Sequence, residues 1–469
     1  MVIGIAYYGW NGVIVKHLGR WGMLGVEIRI DHTTLLFVAL VVVLNIFTLA
    51  YLKNARAGTF YCLYNFLLAS SYSLAFSYDL FNLYVIVELM SLISILLIGY
   101  QRKPYQIYAG IKYLVISSLA MSLYFVGLGL VYRAGGNLGI RELSVSLESV
   151  EEFGLSLGLG LLLPGLAVKG GVFFFSMWLP DAYTYSGTVV TVLLAGIGTK
   201  AGLLGIIRVA GLAGWNELLT GLGVMTGLLG VVFAALASRA KRILAFSSIS
   251  QVGYILLGAG LGTPMGLFVS SLPLFFHGLF KGLLFLAIGH AGFDGNRGKD
   301  DGPLSVPAAS KIGVVVGSLS LMAIPPFNGY FSKTLLLEEV GSGWLRWGVL
   351  AIGSGTVIYT LKLIRMFKAD TCTGNQDRKD HSLIGFAGVV AISACGILFF
   401  DGFGSALNLL SLYHVLVTLV LAATGWLLYL VSERIFGRVS LPSFPFSMDN
   451  SLISLFTGFL IVAALLFFV

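Results

Sequence analysis

Charge is scarce in this chain. Only 11% of its 469 residues are Asp, Glu, Lys or Arg, where an ordinary soluble domain carries roughly 25%. With 57% hydrophobic residues and a mean hydropathy of +0.93, that shortage excludes a soluble globular protein. Cysteine is nearly missing as well. Cys62, Cys372 and Cys395 stand alone with no CxxC pair, which argues against an iron–sulfur cluster or a zinc site. The six histidines are dispersed, and nothing in their placement favours a haem pair. No GxGxxG follows a strand pattern and no Walker loop occurs, so nucleotide-driven chemistry has no seat here. No cofactor is expected within this chain. A net charge of +8 would point to nucleic acid in a soluble protein. Among apolar segments it reads as basic loops that hold topology, with the lipid bilayer as partner and no nucleic acid.

What is present is a succession of apolar runs of about 20 residues, each able to cross a ~30 Å hydrocarbon core as a helix. The alternating segments of about ten residues that a membrane β-barrel requires do not appear. The predicted class is an all-α polytopic membrane protein of about fourteen transmembrane helices. Residues 1–32 read as an extracytoplasmic or interfacial lead-in, with its charge in the wrong order for a signal peptide. Residues 33–58 hold the first helix, 59–210 a first five-helix repeat, 211–368 a second, inverted five-helix repeat, and 369–469 the C-terminal helices.

Loop charge orients the spans. Alternation puts Lys53, Arg56, Arg102, Lys103, Arg239, Lys241, Arg242, Arg297, Lys299, Lys368, Arg378, Lys379, Arg434 and Arg438 on one side. Only Arg133, Arg141 and Arg346 fall opposite, apart from the lead-in. The positive-inside rule then places the first group in the cytoplasm of a prokaryotic-type cell and both termini outside its plasma membrane.

Two spans carry breaks. The predicted span 155–175 contains Pro164-Gly165 ahead of Lys169, and the span 312–330 contains Pro325-Pro326 ahead of Lys333. Proline removes a backbone donor and blocks the preceding turn, so both helices are expected to break near mid-membrane. Each is fourth in its five-helix unit, and the two run in opposite directions. Broken helices in matching places of inverted repeats mark the functional centre of many transporters.

Ionisable residues recur at membrane depth. A charge at the bilayer centre costs about 2.5–3.5 kcal/mol on the insertion scale, yet Glu88, Lys112, Lys169, Lys200, Lys281 and Lys333 all lie in or beside apolar segments. Burial disfavours the charged form of a lysine and a neighbouring carboxylate restores it, so a lysine that alternates between the two carries a proton. Glu88 is the central carboxylate of an early span and the expected partner of Lys169; a static ion pair is the alternative. His277 and Lys281 lie at i and i+4, on one helix face, where a relay and a plain core histidine are equally expected. Lys112 opens the fourth span and reads as snorkelling to the surface, and Lys362 as doing the same near the end of its own. Lys241 reads as a topology anchor.

Four motifs then stand out: Trp178-Leu-Pro-Asp-Ala-Tyr183, Lys241-Arg-Ile-Leu-Ala-Phe-Ser-Ser-Ile-Ser250, His277-Gly-Leu-Phe-Lys281 and Pro326-Phe-Asn-Gly-Tyr-Phe-Ser-Lys333. In order, over roughly residues 25–400, they resemble the antiporter-like subunits shared by respiratory complex I, Mrp cation/proton antiporters and archaeal membrane-bound hydrogenases. The resemblance implies that Glu88 and Lys169 form an input pair, that Lys200, His277 and Lys281 continue the relay, and that Lys333 is the exit group. Asp181, inside the first motif, is a secondary candidate with Lys112, Lys241 and Lys362. It further implies other membrane subunits as partners, including antiporter-like paralogues and a redox module, with H+ and Na+ as the ions to consider. Family members usually begin with two further helices. Ser176 and Tyr183 stand where histidines are usual, and Arg239-Ala240 where an acidic residue often precedes the Lys-Arg pair. The rival readings are a component of a stand-alone Mrp-type Na+/H+ antiporter and a structural membrane scaffold.

Overall fold

Asp31 and Asp79 each begin a membrane helix. The Asp31 carboxylate accepts the Thr34 amide at 2.8 Å to start α1 (His32–Tyr51). Asp79 accepts the Asn82 amide at 2.7 Å to start α3 (Leu80–Ile98). Such caps satisfy amides that the first helical turn leaves without partners. Between them lies α2 (Gly58–Phe76). The structure is a computed structural model that describes residues 12–19, 25–52, 58–146, 153–292, 307–367, 411–436 and 447–468.

The chain continues as α4 (Pro104–Gly135), α5 (Ile140–Ser146) and α6 (Phe153–Gly170), and resumes after a break as α7 (Leu179–Tyr185). Next come α8 (Thr188–Leu193), a π-helical turn at Leu194–Gly198, α9 (Thr199–Ala213), α10 (Asn216–Leu236), α11 (Ala240–Ala259) and α12 (Pro264–His290). A second interrupted pair, α13 (Ala308–Leu321) and α14 (Asn328–Val340), precedes α15 (Trp344–Met366), α16 (Leu412–Phe436) and α17 (Met448–Phe468). Among the described residues, nine helical segments are long and apolar enough to cross a membrane, and three shorter apolar helices accompany them. The chain is a mostly helical, multi-pass membrane protein. The predicted span at 383–400 lies outside the described residues, as do the loop cations Lys53, Arg56, Arg297, Lys299, Lys368, Arg378, Lys379 and Arg438.

Three expectations need revision. The lead-in contains a hairpin, β1 (Ile14–Leu18) paired antiparallel with β2 (Val26–Ile30), Ile14 opposite Ile30. It is docked on the bundle through the Tyr78 amide, which donates to the Glu27 carbonyl at 3.0 Å. The alternation of Val26, Ile28 and Ile30 with polar residues favours a strand, but five residues are too few to register in a reading built on long apolar runs. Secondly, the first broken helix does not break at Pro164. That proline is carried inside α6, which ends at Gly170, after Lys169. Gly171 follows at φ +74°, a left-handed conformation that glycine adopts without strain, and the Val172 amide closes back on the Ala167 carbonyl at 3.0 Å. Thirdly, α4 begins at Pro104, so Lys112 lies about two turns inside it and is fully buried rather than snorkelling.

Close packing brings the ionisable helices together. A Cβ on Gly202 of α9 would lie 2.3 Å from the Gly170 amide nitrogen and 2.5 Å from the Leu166 carbonyl oxygen. Only glycine allows α9 to approach α6 this closely beside Lys169, the small-residue packing typical of membrane helices. The C-terminal helices cover the breaks. Ser454 of α17 donates to the Phe174 carbonyl at 2.8 Å in the first, and α16 lies against Lys333 beyond the second.

Candidate functional site

Several ionisable groups are buried inside the bundle, Lys112, Lys169, Lys200, His277 and Lys281 among them. Lys169 Nζ lies 3.1 Å from Glu88 Oε2, with the lysine 2% and the glutamate 24% exposed. Lys169 also donates to the hydroxyls of Ser91 and Ser117. Ser91 lies one helical turn after Glu88, so α3 presents both to the same lysine. The Lys169 ammonium sits 5.6 Å from the centre of the Tyr113 ring. Tyr113 in turn stacks on Trp178 at 3.8 Å, and the Trp178 indole donates to the Val168 carbonyl at 2.9 Å. The break after α6 therefore folds its own tryptophan back as a wall beside the lysine.

A second ion pair joins α4 to α7. Lys112 Nζ lies 2.6 Å from Asp181 Oδ2, with side chains 0% and 8% exposed, and Arg242 approaches the other Asp181 oxygen at 3.9 Å. Asp181, a secondary candidate in the sequence reading, is thus a buried carboxylate in the core, whereas Glu88 alone is expected at the centre of an early span. Lys241 donates to the Ser186 carbonyl at 3.0 Å, fastening the start of α11 to the end of the first broken helix. A buried pair of this kind resists loss of either partner, because the other is left as an uncompensated charge.

Further in, the ammonium groups meet neutral oxygens. Lys200 donates to the Ala195 carbonyl and lies 3.4 Å from the Thr199 hydroxyl. The π-helical turn at Leu194–Gly198 widens the helix just before Lys200 and leaves carbonyls of that turn outside the usual ladder. Lys281 donates to the Leu244 carbonyl at 3.0 Å and to the Ser247 hydroxyl. His277 is buried against Phe280, and neither ring nitrogen has a hydrogen-bond partner among the described residues. His277 and Lys281 lie one helical turn apart on α12, so the unpartnered ring and the ammonium share one face of it.

Lys333 stands after the second break. It donates to the Leu321 carbonyl at 2.7 Å, one of the carbonyls that α13 leaves open where it ends, and lies 4.8 Å from the Tyr254 ring centre. Asn328, at the start of α14, is fully buried with both amide atoms lacking a partner among the described residues. Lys362 is at the far end of α15, where it donates to the Ala235 carbonyl at 2.6 Å.

Sequence reasoning misses Arg208. Its guanidinium is buried and donates to the Ser77 and Ala75 carbonyls and, at 3.1 Å, to the Thr34 hydroxyl, tying α9 to the ends of α1 and α2. An arginine within an apolar span is the available signal. It also misses Ser91, Ser117 and Ser247, which composition cannot separate from other helix serines. Among the described residues no three His, Cys, Asp or Glu side chains converge to hold a metal ion. The arrangement can hold and pass protons through lysines, hydroxyls, carbonyls and the water that such unpartnered buried groups attract.

Known proteins share this plan. Over residues 77–359 the chain matches the family described as NADH:quinone oxidoreductase/Mrp antiporter, TM. It is 32% identical over 72% of its length to NADH-quinone oxidoreductase subunit N of Desulforudis audaxviator, covering 72% of that protein. It is 31% identical over 70% of its length to an Na+/H+ antiporter subunit of Alkalihalophilus pseudofirmus, covering 70% of it. A subunit of the membrane-bound sulfane sulfur reductase, an archaeal respiratory membrane complex, has the same fold, with TM-score 0.77 at 23% identity over 90% of this chain and 91% of that one. A chain of the Mrp complex of Dietzia sp. DQ12-45-1b superposes with TM-score 0.74 at 20% identity over 92% of this chain and 91% of the other. With that match across its two broken helices and most of its buried lysines, the chain belongs to the NADH:quinone oxidoreductase/Mrp antiporter transmembrane family.

Proposed function

We propose that this chain is a proton-translocating, antiporter-like subunit of a multisubunit respiratory membrane complex. The observation that carries the reading is the series of buried cations from Lys169 through Lys200 and Lys281 to Lys333. Beyond the Glu88 pair these lysines rest on serine, threonine and carbonyl oxygens. A static scaffold has no use for ammonium groups whose partners are neutral, because each carries a desolvation cost that no opposite charge among the described residues offsets. In a relay that weakness is useful, since a loosely held proton moves on. Glu88 and Lys169 act as the input pair, Lys200, His277 and Lys281 as the central relay, and Lys333 as the exit group.

In this reading the chain crosses the plasma membrane about fourteen times, with 59–210 and 211–368 as inverted five-helix units. The interrupted pairs α6/α7 and α13/α14 support the pairing of the units. The match is not residue for residue: Lys169 precedes its break and Lys333 follows its own. Both termini lie outside, and the partners are antiporter-like paralogues and a redox module, as the names of the similar proteins suggest.

The test is proton uptake by membrane vesicles carrying the native complex, with Lys200→Ala and Lys281→Ala variants at equal expression. Loss of uptake with preserved assembly is expected. A second reading, a component of a stand-alone Na+/H+ antiporter, is favoured by the similarity to the Alkalihalophilus pseudofirmus protein. It requires that an imposed Na+ gradient alone drives proton movement and that no redox chains co-purify.

A further inference from the structure

We propose that His414 and Glu338 form a terminal proton port, carrying protons between Lys333 and the membrane face that bears the β1–β2 hairpin. The inference rests on Lys333 being the exit group, as argued above, and adds the route beyond it.

A cavity of about 40 Å³ lies between α11, α14, α15 and α16, and Lys333, Thr334, Tyr254, Thr418 and His414 all line it. By the same measure a water needs about 10–15 Å³ and two or more polar partners, so the cavity has both the room and the lining for water. Lys333 contributes its ammonium at the inner end, already turned toward the open carbonyl of Leu321. His414 and Thr418 are four residues apart on α16 and so share one face of it, the face turned to the cavity.

At the outer end His414 Nε2 is 3.1 Å from Glu338 Oε1, and the Nδ1 atom is 2.8 Å from the Ser411 hydroxyl. The histidine side chain is 14% exposed and the glutamate 44%, so the pair leads from the cavity to the surface. A ring engaged at both nitrogens can take a proton at one and release it from the other. The pair also lies on the correct face. Glu339, the next residue of α14, accepts from the Thr263 hydroxyl at 2.9 Å at the start of α12, and Phe268 of α12 meets the His32 ring at the start of α1, directly after β2. His414 is the third residue of the apolar span Leu412–Val431 and Glu338 stands two residues before the end of α14, and polar residues at such ends are ordinary, which is why the sequence does not single them out.

The experiment measures proton transport by vesicles carrying the complex with His414→Gly, His414→Gln, Glu338→Gln, Gly353→Leu or Lys333→Leu at equal assembly. Removing a positioned proton carrier is expected to slow transport by about tenfold or more in His414→Gly. Millimolar imidazole should restore part of that loss, whereas thiazole, of the same shape but far less basic, should not. A purely structural staple between α14 and α16 gives no such difference. Gly353 also lines the cavity, where an added Cβ makes only ordinary contacts at 3.6 Å and 3.7 Å. Gly353→Leu therefore fills the water space while leaving Lys333, His414, Glu338 and Tyr254 in place, and it decides the matter if the histidine variants fail to assemble. Normal transport in Gly353→Leu together with a lack of imidazole rescue overturns the port. If Lys333→Leu itself transports normally, the underlying reading has failed rather than the port alone.

Discussion

Lys112 Nζ lies 2.6 Å from Asp181 Oδ2 inside the bundle, and the pair ties α4 to the second half of the first broken helix. Because both groups are buried, removing one takes from the other its nearest counter-charge, at a cost of about 3–5 kcal/mol. Asp181→Ala is expected to lower the melting temperature of the detergent-solubilised complex strongly. The double variant Lys112→Met/Asp181→Leu should be less impaired than either single one. Equal damage in all three would show that the pair is not a mutual partnership.

The Glu88–Lys169 pair has a different prospect, because Lys169 keeps Ser91 and Ser117 as partners when Glu88 is lost. Lys169→Ala and Glu88→Ala should abolish proton-linked transport while the complex still assembles. Ser117→Ala, which removes one neutral partner only, should retain a reduced rate. Unchanged transport in Lys169→Ala membranes removes Lys169 from the path.

Lys333 and Lys362 are two lysines in different settings. Lys333 lies by the open end of α13 and a water-sized cavity, whereas Lys362 is bonded to Ala235 at the far end of its helix. Transport by Lys333→Leu should be lost and by Lys362→Leu largely kept at equal expression. The reverse result would put the exit on the wrong helix.

Orientation is open to chemical labelling. Lys103 and Arg133 are both exposed and mark opposite ends of α4. They are better cysteine sites than Arg102 or Gly136, whose backbones sit at φ 56° and 67°. An impermeant thiol reagent added to intact cells should label Arg133→Cys and spare Lys103→Cys, since the basic loops are placed inside. Labelling of Lys103→Cys alone inverts the topology.

Glu27 makes stability depend on pH. Burial lifts its carboxyl above the ordinary value of 4.5, with Glu142 adding to the rise and the Arg141 amide and the His17 and Arg141 charges opposing it. Its Oε1 atom is buried without a hydrogen-bond partner among the described residues. The folded state then holds this proton more tightly than the unfolded chain. The benefit is full below the unfolded value and is lost as pH rises through the folded one. Glu27→Gln should raise the melting temperature in detergent at neutral pH, by on the order of 1 kcal/mol of stability. The gain should shrink as the pH falls toward about 4. A pH-independent difference contradicts this account.

Class, helix positions and the main lysines were legible in the amino-acid sequence because they depend on local quantities. Runs of about 20 apolar residues can only be membrane helices, and charges within them stand out against that background. The residues around Pro325 likewise announce an interruption, since backbone preference acts within a few residues. What depends on residues far apart in the chain needed the fold. Whether Pro164 ends its helix is decided by packing on both sides, and the proline remains inside α6. Lys112 and Asp181 are 69 positions apart and meet only once α7 folds back on α4. Arg208 reaches Ser77 and Ala75 across more than 130 positions, and a span read alone gives no sign of such a partner. His414 is brought beside Lys333 by the cavity both line, a space between α11, α14, α15 and α16 that is present in none of them separately. Local hydrophobicity and backbone preference set the elements, while the partners of each buried charge are fixed only when those elements pack.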